Sequence, residues 1–84
     1  MNLTNTQMRT IYDWNFKRDI SLFSGWSQGK ALELSRFCKE QANEFTDDYN
    51  YWGFTVGNGR PAKMNKSVLL RLSSDLCDYK SDVL

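Results

Sequence analysis

Histidine is absent from this 84-residue chain, while proline occurs once and cysteine twice. Without histidine, the chain lacks the usual general base at neutral pH and the commonest protein ligand for zinc. The two cysteines, Cys38 and Cys77, are too far apart for a Cys-x-x-Cys redox or zinc motif. These gaps argue against an enzyme. We expect no catalytic residues, no metal site and no cofactor.

Long apolar runs are missing as well. No window approaches the ~20 consecutive apolar residues that a bilayer requires, and the first residues lack the basic-then-apolar pattern of a signal peptide. A small secreted domain usually carries several disulfides, whereas this chain has only Cys38 and Cys77. We therefore expect a cytoplasmic protein with reduced, buried thiols and no membrane partner.

A nucleotide site is also not indicated. The segment 57–62 matches the dinucleotide pattern G-x-G-x-x-A and follows a predicted strand. That fingerprint needs a crossover helix and a second parallel strand, for which the residues after Ala62 are too few. Pro61 is better explained as a turn residue, and no phosphate-binding P-loop occurs. We expect no small-molecule substrate.

Aromatic residues, in contrast, are plentiful, with three Trp, four Tyr and five Phe. A chain of this length forms a single small domain, predicted here over 1–84, and each large ring buries roughly 150 to 250 Å². Twelve rings exceed what one small core needs. Because Tyr and Trp are enriched at interfaces, the surplus predicts a binding surface.

The first half of the chain predicts two helices. The first covers 6–23 after an N-cap at Asn5 or Thr6, and the second covers 28–45 after an N-cap at Ser27. The first helix has apolar residues at helical spacing: Met8, Ile11, Tyr12, Phe16, Ile20 and Phe23. The second helix has a similar stripe: Ala31, Leu34, Cys38, Ala42 and Phe45. We expect Leu34, Cys38 and Phe45 to be buried against Ile11, Tyr12 or Phe16.

The opposite face of the second helix carries Arg36, Lys39 and Glu40. Arg36 and Glu40 are four residues apart, which allows an ion pair on the helix surface. This face is typical of one exposed to solvent, and it is the next candidate for a binding surface if the leading candidate fails.

The second half predicts a β-hairpin. Residues 49–56 are short, aromatic and β-branched, and 67–72 is the nearest possible partner strand across the loop 57–66. A short last helix would follow a cap at Ser73 or Ser74. The fold class is then α+β, with two N-terminal helices, a hairpin and a short C-terminal helix. The alternative is an all-α chain with a third helix over 66–82, capped by Asn65, and periodicity does not separate the two.

The predicted function is non-catalytic binding of another protein, as a stoichiometric inhibitor or adaptor does. The size and composition are typical of bacteriophage or mobile-element proteins. A hairpin loop of about ten residues exceeds the usual two to five, and surplus length is often functional. The loop and its flanks predict a binding site made of Trp52, Arg60, Lys63, Lys66 and Arg71.

Nucleic acid is the alternative partner. The basic segment 57–71 has four cations and no acid, and it follows aromatic residues, as in single-strand binding surfaces. The formal net charge of only +1 argues against this alternative, because phosphate contacts dominate such affinity.

Overall fold

The chain folds mainly into helices. The computed structural model describes residues 3–48, 51–55 and 61–81, with the backbone alone for 51–55 and 61–63. Its elements are α1 (Asn5–Lys17), a short 3₁₀ helix (Ile20–Phe23), α2 (Gln28–Asn43), β1 (Tyr51–Thr55), β2 (Pro61–Asn65) and α3 (Lys66–Ser81). The alternative prediction of a third helix over 66–82 therefore fits the chain better than the leading α+β arrangement.

Helix α1 is shorter than predicted. It begins after Thr4, whose hydroxyl accepts from the Gln7 amide at 3.1 Å while Gln7 Oε1 accepts from the Thr4 amide at 2.9 Å, a complete capping box. It ends at Arg18, which adopts a left-handed conformation with φ of 55°. Asp19 then accepts hydrogen bonds from the amide and hydroxyl of Ser21, and these bonds lower the pKa of Asp19. The predicted helix over 6–23 is thus two separate helices.

The early end of α1 changes which face is buried. Ile11 and Trp14 are fully buried, whereas Phe16 is 81% exposed. The prediction that Phe16 faces the core is therefore wrong. Ile20 and Phe23 belong to a separate 3₁₀ helix, so they do not extend the stripe on which Phe16 was placed.

Helix α2 closely follows its prediction. Ser27 caps it by accepting from the Lys30 amide at 3.2 Å. Leu34 and Cys38 are fully buried as predicted, while Phe45 lies beyond the helix end and is half-buried. The other fully buried residues of α2 are Ala31 and Ala42.

Helices α2 and α3 pack as an antiparallel pair. Near the start of α2, the Gln28 side chain donates to the Lys80 carbonyl near the end of α3 at 3.0 Å. Just past the end of α2, the Phe45 carbonyl accepts from Lys66 Nζ, at the start of α3, at 3.3 Å. Leucines of α3 complete the core against α2: Leu69, Leu72 and Leu76.

The second strand lies earlier than predicted. Strand β1 pairs antiparallel with β2, with Trp52 opposite Met64, so β2 falls in the segment predicted to be a loop. The predicted strand over 67–72 and the separate helix capped by Ser73 or Ser74 are wrong, because α3 runs through both segments. Of the predicted strand 49–56, the part over 51–55 is confirmed, and 49, 50 and 56 lie outside the described residues.

Caps explain why 66–81 is helical. The Asn65 side chain accepts from the Val68 amide at 3.0 Å, as the alternative prediction expected. Asp48 adds a second cap from a distant segment, accepting from the amide and the hydroxyl of Ser67, each at 2.9 Å. Within the described residues, no helix is long and apolar enough to cross a bilayer.

Candidate functional site

The predicted site residues of the hairpin are only partly described. In the backbone register, Trp52 lies opposite Met64 and Lys63 lies opposite Gly53. The side chains of Trp52 and Lys63, and the whole of Arg60, fall outside the described residues. The role predicted for these three residues therefore stays a prediction.

The connection between the two strands is shorter than predicted. Strand β1 ends at Thr55 and β2 begins at Pro61, so the connection spans 56–60 rather than 57–66. A connection of this length is within the ordinary range for a hairpin. Surplus loop length therefore does not single out this segment.

Lys66 and Arg71, the remaining predicted site residues, do not lie together. Lys66 is half-buried and its ammonium group donates to the Phe45 carbonyl. Arg71 is exposed, with Nε 3.9 Å from the Asp75 carboxylate. Five positions along a helix correspond to a rotation of roughly 140°, so the two cations emerge in different directions.

Arg71 contributes instead to a recess against the end of α1. The recess measures about 570 Å³ and is also lined by Arg18 and Ser67. The Arg18 guanidinium lies 5.1 Å from the centre of the Trp14 ring, a cation–π contact that fixes it beside the core. The two guanidinium groups thus face one recess, but one of them is already in an ion pair with Asp75.

An open groove of about 580 Å³ lies between α2 and α3 in the described part of the chain. Its size is within the range of ligand-binding clefts, about 300 to 1,000 Å³. We call it the α2–α3 groove. Its walls present, from α2, Leu32, Arg36 and Lys39 and, from α3, Leu70, Ser74 and Cys77.

Small residues form the floor of the α2–α3 groove. The Ser35 hydroxyl lies 2.7 Å from the Ser73 carbonyl and 3.1 Å from the Ser73 hydroxyl, and both residues are buried. Because serine side chains are small, the two helices approach closely here and the space above their contact stays open as the groove. Leu32 is half-buried and Leu70 is 39% exposed, so apolar surface borders this floor.

The two walls of the groove differ in charge. Arg36 and Lys39 are exposed on α2, and neither has an acidic side chain within 4 Å among the residues the structure describes. The predicted Arg36–Glu40 ion pair is therefore not formed there. The α3 wall carries one charged residue, Asp78. The groove thus has one side with two positive charges and one side with a single negative charge.

The cysteines differ in exposure and neither is in a disulfide. Cys38 is buried as predicted, and its burial raises the thiol pKa to about 12. Cys77 is exposed and lines the groove, so its predicted burial is wrong. Because Cys77 is exposed and Cys38 is buried, Cys77 is the thiol that a reagent in solution can reach.

The described residues contain no cluster of three or more acidic or cysteine side chains suited to a metal ion.

The sequence indicated the polar face of α2 as a secondary candidate for a binding surface, but it did not indicate the groove. The signal was the pair Ser35 and Ser73, small polar residues on otherwise apolar helix faces. Its meaning depends on α3 being a helix that pairs with α2.

Known proteins offer no guide to this site. Comparisons of the chain with protein-family models, with curated proteins and with solved structures give no match. The observations that bear on function are therefore the groove, its exposed leucine and its two cations, which have no acidic partner among the described residues.

Proposed function

We propose that this protein is a non-catalytic binding protein that acts stoichiometrically on another protein, as an inhibitor or adaptor, through the α2–α3 groove. The observation that carries the proposal is the exposed Leu70 facing a wall with Arg36 and Lys39, two cations that form no ion pair within the described part of the chain. Specific protein interfaces combine apolar contacts with polar and charged groups, and this groove offers apolar surface at Leu32 and Leu70 beside its two cations.

The cations and the leucines of the groove have different roles in binding a protein partner. Arg36 and Lys39 are exposed, so both side chains remain hydrated in the free protein. Charges at the rim of an interface mainly accelerate association and select the partner, whereas buried apolar contacts hold the complex together. Leu32 and Leu70 are the apolar groups placed to supply those contacts.

Nucleic-acid binding through 57–71 has weaker support. Lys66, one of its cations, is bonded to the Phe45 carbonyl, and Arg71 is paired with Asp75. Both are less available to phosphates than a free surface cation would be. Capture of nucleic acid is therefore the competing outcome of a cross-linking experiment.

The test uses Cys77 as a reporter inside the groove. The protein is labelled at Cys77 with a benzophenone maleimide and irradiated in lysate of the cell that makes it, half of which has been treated with nuclease. We expect a discrete cross-linked protein that survives nuclease. The matched control carries Cys77→Ser and Arg9→Cys, which moves the label to an exposed position on α1, and it should give no such product.

Two results would overturn the proposal. A cross-link that disappears with nuclease would indicate nucleic acid as the partner. Equal capture from the control position would show that the groove is not the surface in use.

A further inference from the structure

We infer that the occupant of the α2–α3 groove is an amphipathic α-helix of the partner, with acidic residues along the edge that meets α2. This inference rests on the proposed function. It depends on three features: the spacing of the groove's leucines, the spacing of its cations and the absence of backbone groups for strand pairing.

The leucines stand at opposite ends of the groove. Because Gln28 contacts Lys80 and Ser35 contacts Ser73, each step forward on α2 matches one step back on α3. Leu70 is therefore level with a position six residues beyond Leu32, or ~9 Å along the axis. Two apolar residues at i and i+7 of a helix are ~10.5 Å apart along its axis, close to this axial offset between the two walls.

The cations lie between and beside the leucines. Arg36 and Lys39 are three residues apart on α2, so they follow one side of the groove about 4.5 Å apart along the axis. Acidic residues at i and i+3 of a docked helix have the same axial spacing, and those at i and i+4 are ~6 Å apart. A helix with leucines two turns apart and acids on one flank matches the groove in both respects.

An extended peptide would find no comparable match. Strand addition depends on main-chain hydrogen bonds with an open sheet edge. The walls of this groove are helices, whose backbone groups are bonded within each helix away from the ends. Only side chains are offered to a ligand, and helix-in-groove recognition uses side chains alone.

The experiment uses a defined probe. A stapled helical peptide of about 14 residues carries leucines at i, i+3 and i+7 and glutamates on one flank, and a matched peptide carries lysines in place of the glutamates. Binding is measured by fluorescence anisotropy with the full chain. We expect the acidic peptide to bind at least ~10-fold more tightly than the basic one. It should also slow alkylation of Cys77.

Charge reversal supplies the decisive comparison. The double variant Arg36→Glu, Lys39→Glu should invert the preference and bind the basic peptide more tightly. The double variant Arg9→Glu, Lys17→Glu, which changes exposed cations of α1, should retain the wild-type preference. Circular dichroism of each variant checks that the fold is intact.

The outcomes separate this inference from the proposed function. If neither peptide protects Cys77, or if reversal leaves the preference unchanged, the acidic-helix inference is wrong. Cross-linking at Cys77 that still captures a protein would then leave the proposed function standing with a different occupant. If the peptides bind as expected and no protein is captured, the groove accepts acidic helices while the proposed function fails.

Discussion

Lys80, near the end of α3, forms hydrogen bonds with a segment more than 50 residues earlier in the chain. Its side chain is only 5% exposed, yet its ammonium donates to the Trp26 carbonyl at 2.9 Å and to the Ser24 carbonyl at 3.4 Å. It also lies 5.2 Å from the centre of the Tyr79 ring. The apolar stem of a lysine packs well in such a place while its head satisfies polar groups. Lys80 therefore ties the end of α3 to the segment before α2.

We predict that Lys80→Met lowers the free energy of unfolding by about 1.5 to 3 kcal/mol, the usual range for hydrogen bonds to a charged group. Methionine keeps most of the packing volume but leaves the carbonyls of Ser24 and Trp26 without this donor. Urea denaturation measures the loss. Lys39→Met, at an exposed position, is the control and should change stability by less than ~0.5 kcal/mol. Equal effects from the two variants would contradict a structural role for Lys80.

At the scale of an element, the beginning of α3 depends on a residue far from it in sequence. Asp48 lies before the hairpin, yet its carboxylate accepts from Ser67 and from the Asn65 side chain, the latter at 3.2 Å. A carboxylate near a helix N-terminus is also favoured by the helix dipole. This cap closes the chain around the hairpin and fixes where α3 starts.

We expect Asp48→Ala to destabilise the protein by about 0.5 to 2 kcal/mol, as loss of a helix cap usually does. The Ser67 amide should exchange with solvent faster, because it loses its acceptor. Hydrogen exchange followed by NMR, together with urea denaturation, measures both effects. Glu40→Ala, on the exposed face of α2, is the control. Unchanged exchange at Ser67 would show that Asp48 does not cap α3.

The elements that could be predicted are those whose signals are local. Ser27 and the apolar stripe after it place α2 correctly, because the cap and the stripe lie within the same stretch of chain. The end of α1 had no such signal. Arg18 adopts a left-handed conformation that usually favours glycine, and its contact with Trp14 and the cap at Asp19 offset the strain. Those compensating contacts exist only in the folded chain.

The start of α3 was ambiguous for a related reason. Alternating and helical apolar patterns coincide over 67–72, and the deciding cap from Asp48 comes from a distant segment. As a consequence, the groove could not be predicted from the sequence. Arg36 and Lys39 are visible on one helix face in the sequence, but Leu70 and Cys77 become their neighbours only through the pairing of α2 with α3.

Across the whole molecule, stability should be concentrated where the three helices meet. Leu34 is fully buried and Phe16 is 81% exposed, although both were predicted to lie in the core. We predict that Leu34→Ala costs about 2 to 5 kcal/mol, because it removes buried methyl groups and leaves a cavity. Phe16→Ala should cost less than ~0.5 kcal/mol. Thermal or urea denaturation of both variants measures the loss of stability. A larger loss from Phe16→Ala than from Leu34→Ala would show that the face of α1 carrying Phe16 is buried.

The distribution of charge over the whole molecule yields the last prediction, which concerns nucleic acid. The net charge is +1, and the described cations that line concave surfaces occur in pairs, Arg36 with Lys39 in the groove and Arg18 with Arg71 at the recess, rather than in one large basic patch. Because affinity for nucleic acid grows with the number of phosphates contacted together, dispersed cations bind weakly. We expect a single-stranded DNA probe to bind with a Kd no tighter than ~10⁻⁴ M at physiological salt.

Fluorescence anisotropy over a range of salt concentrations tests this expectation against the basic segment 57–71. If Lys63 and Lys66 contact phosphates, replacing both by alanine should reduce the slope of log affinity against log salt by about one to two. If the partner is a protein in the α2–α3 groove, the variant with alanine at Lys63 and Lys66 should still bind that protein. The double variant Arg36→Glu, Lys39→Glu should not. Submicromolar DNA binding with the reduced slope would favour the nucleic-acid hypothesis, because an interface that does not involve phosphates has no reason to show either.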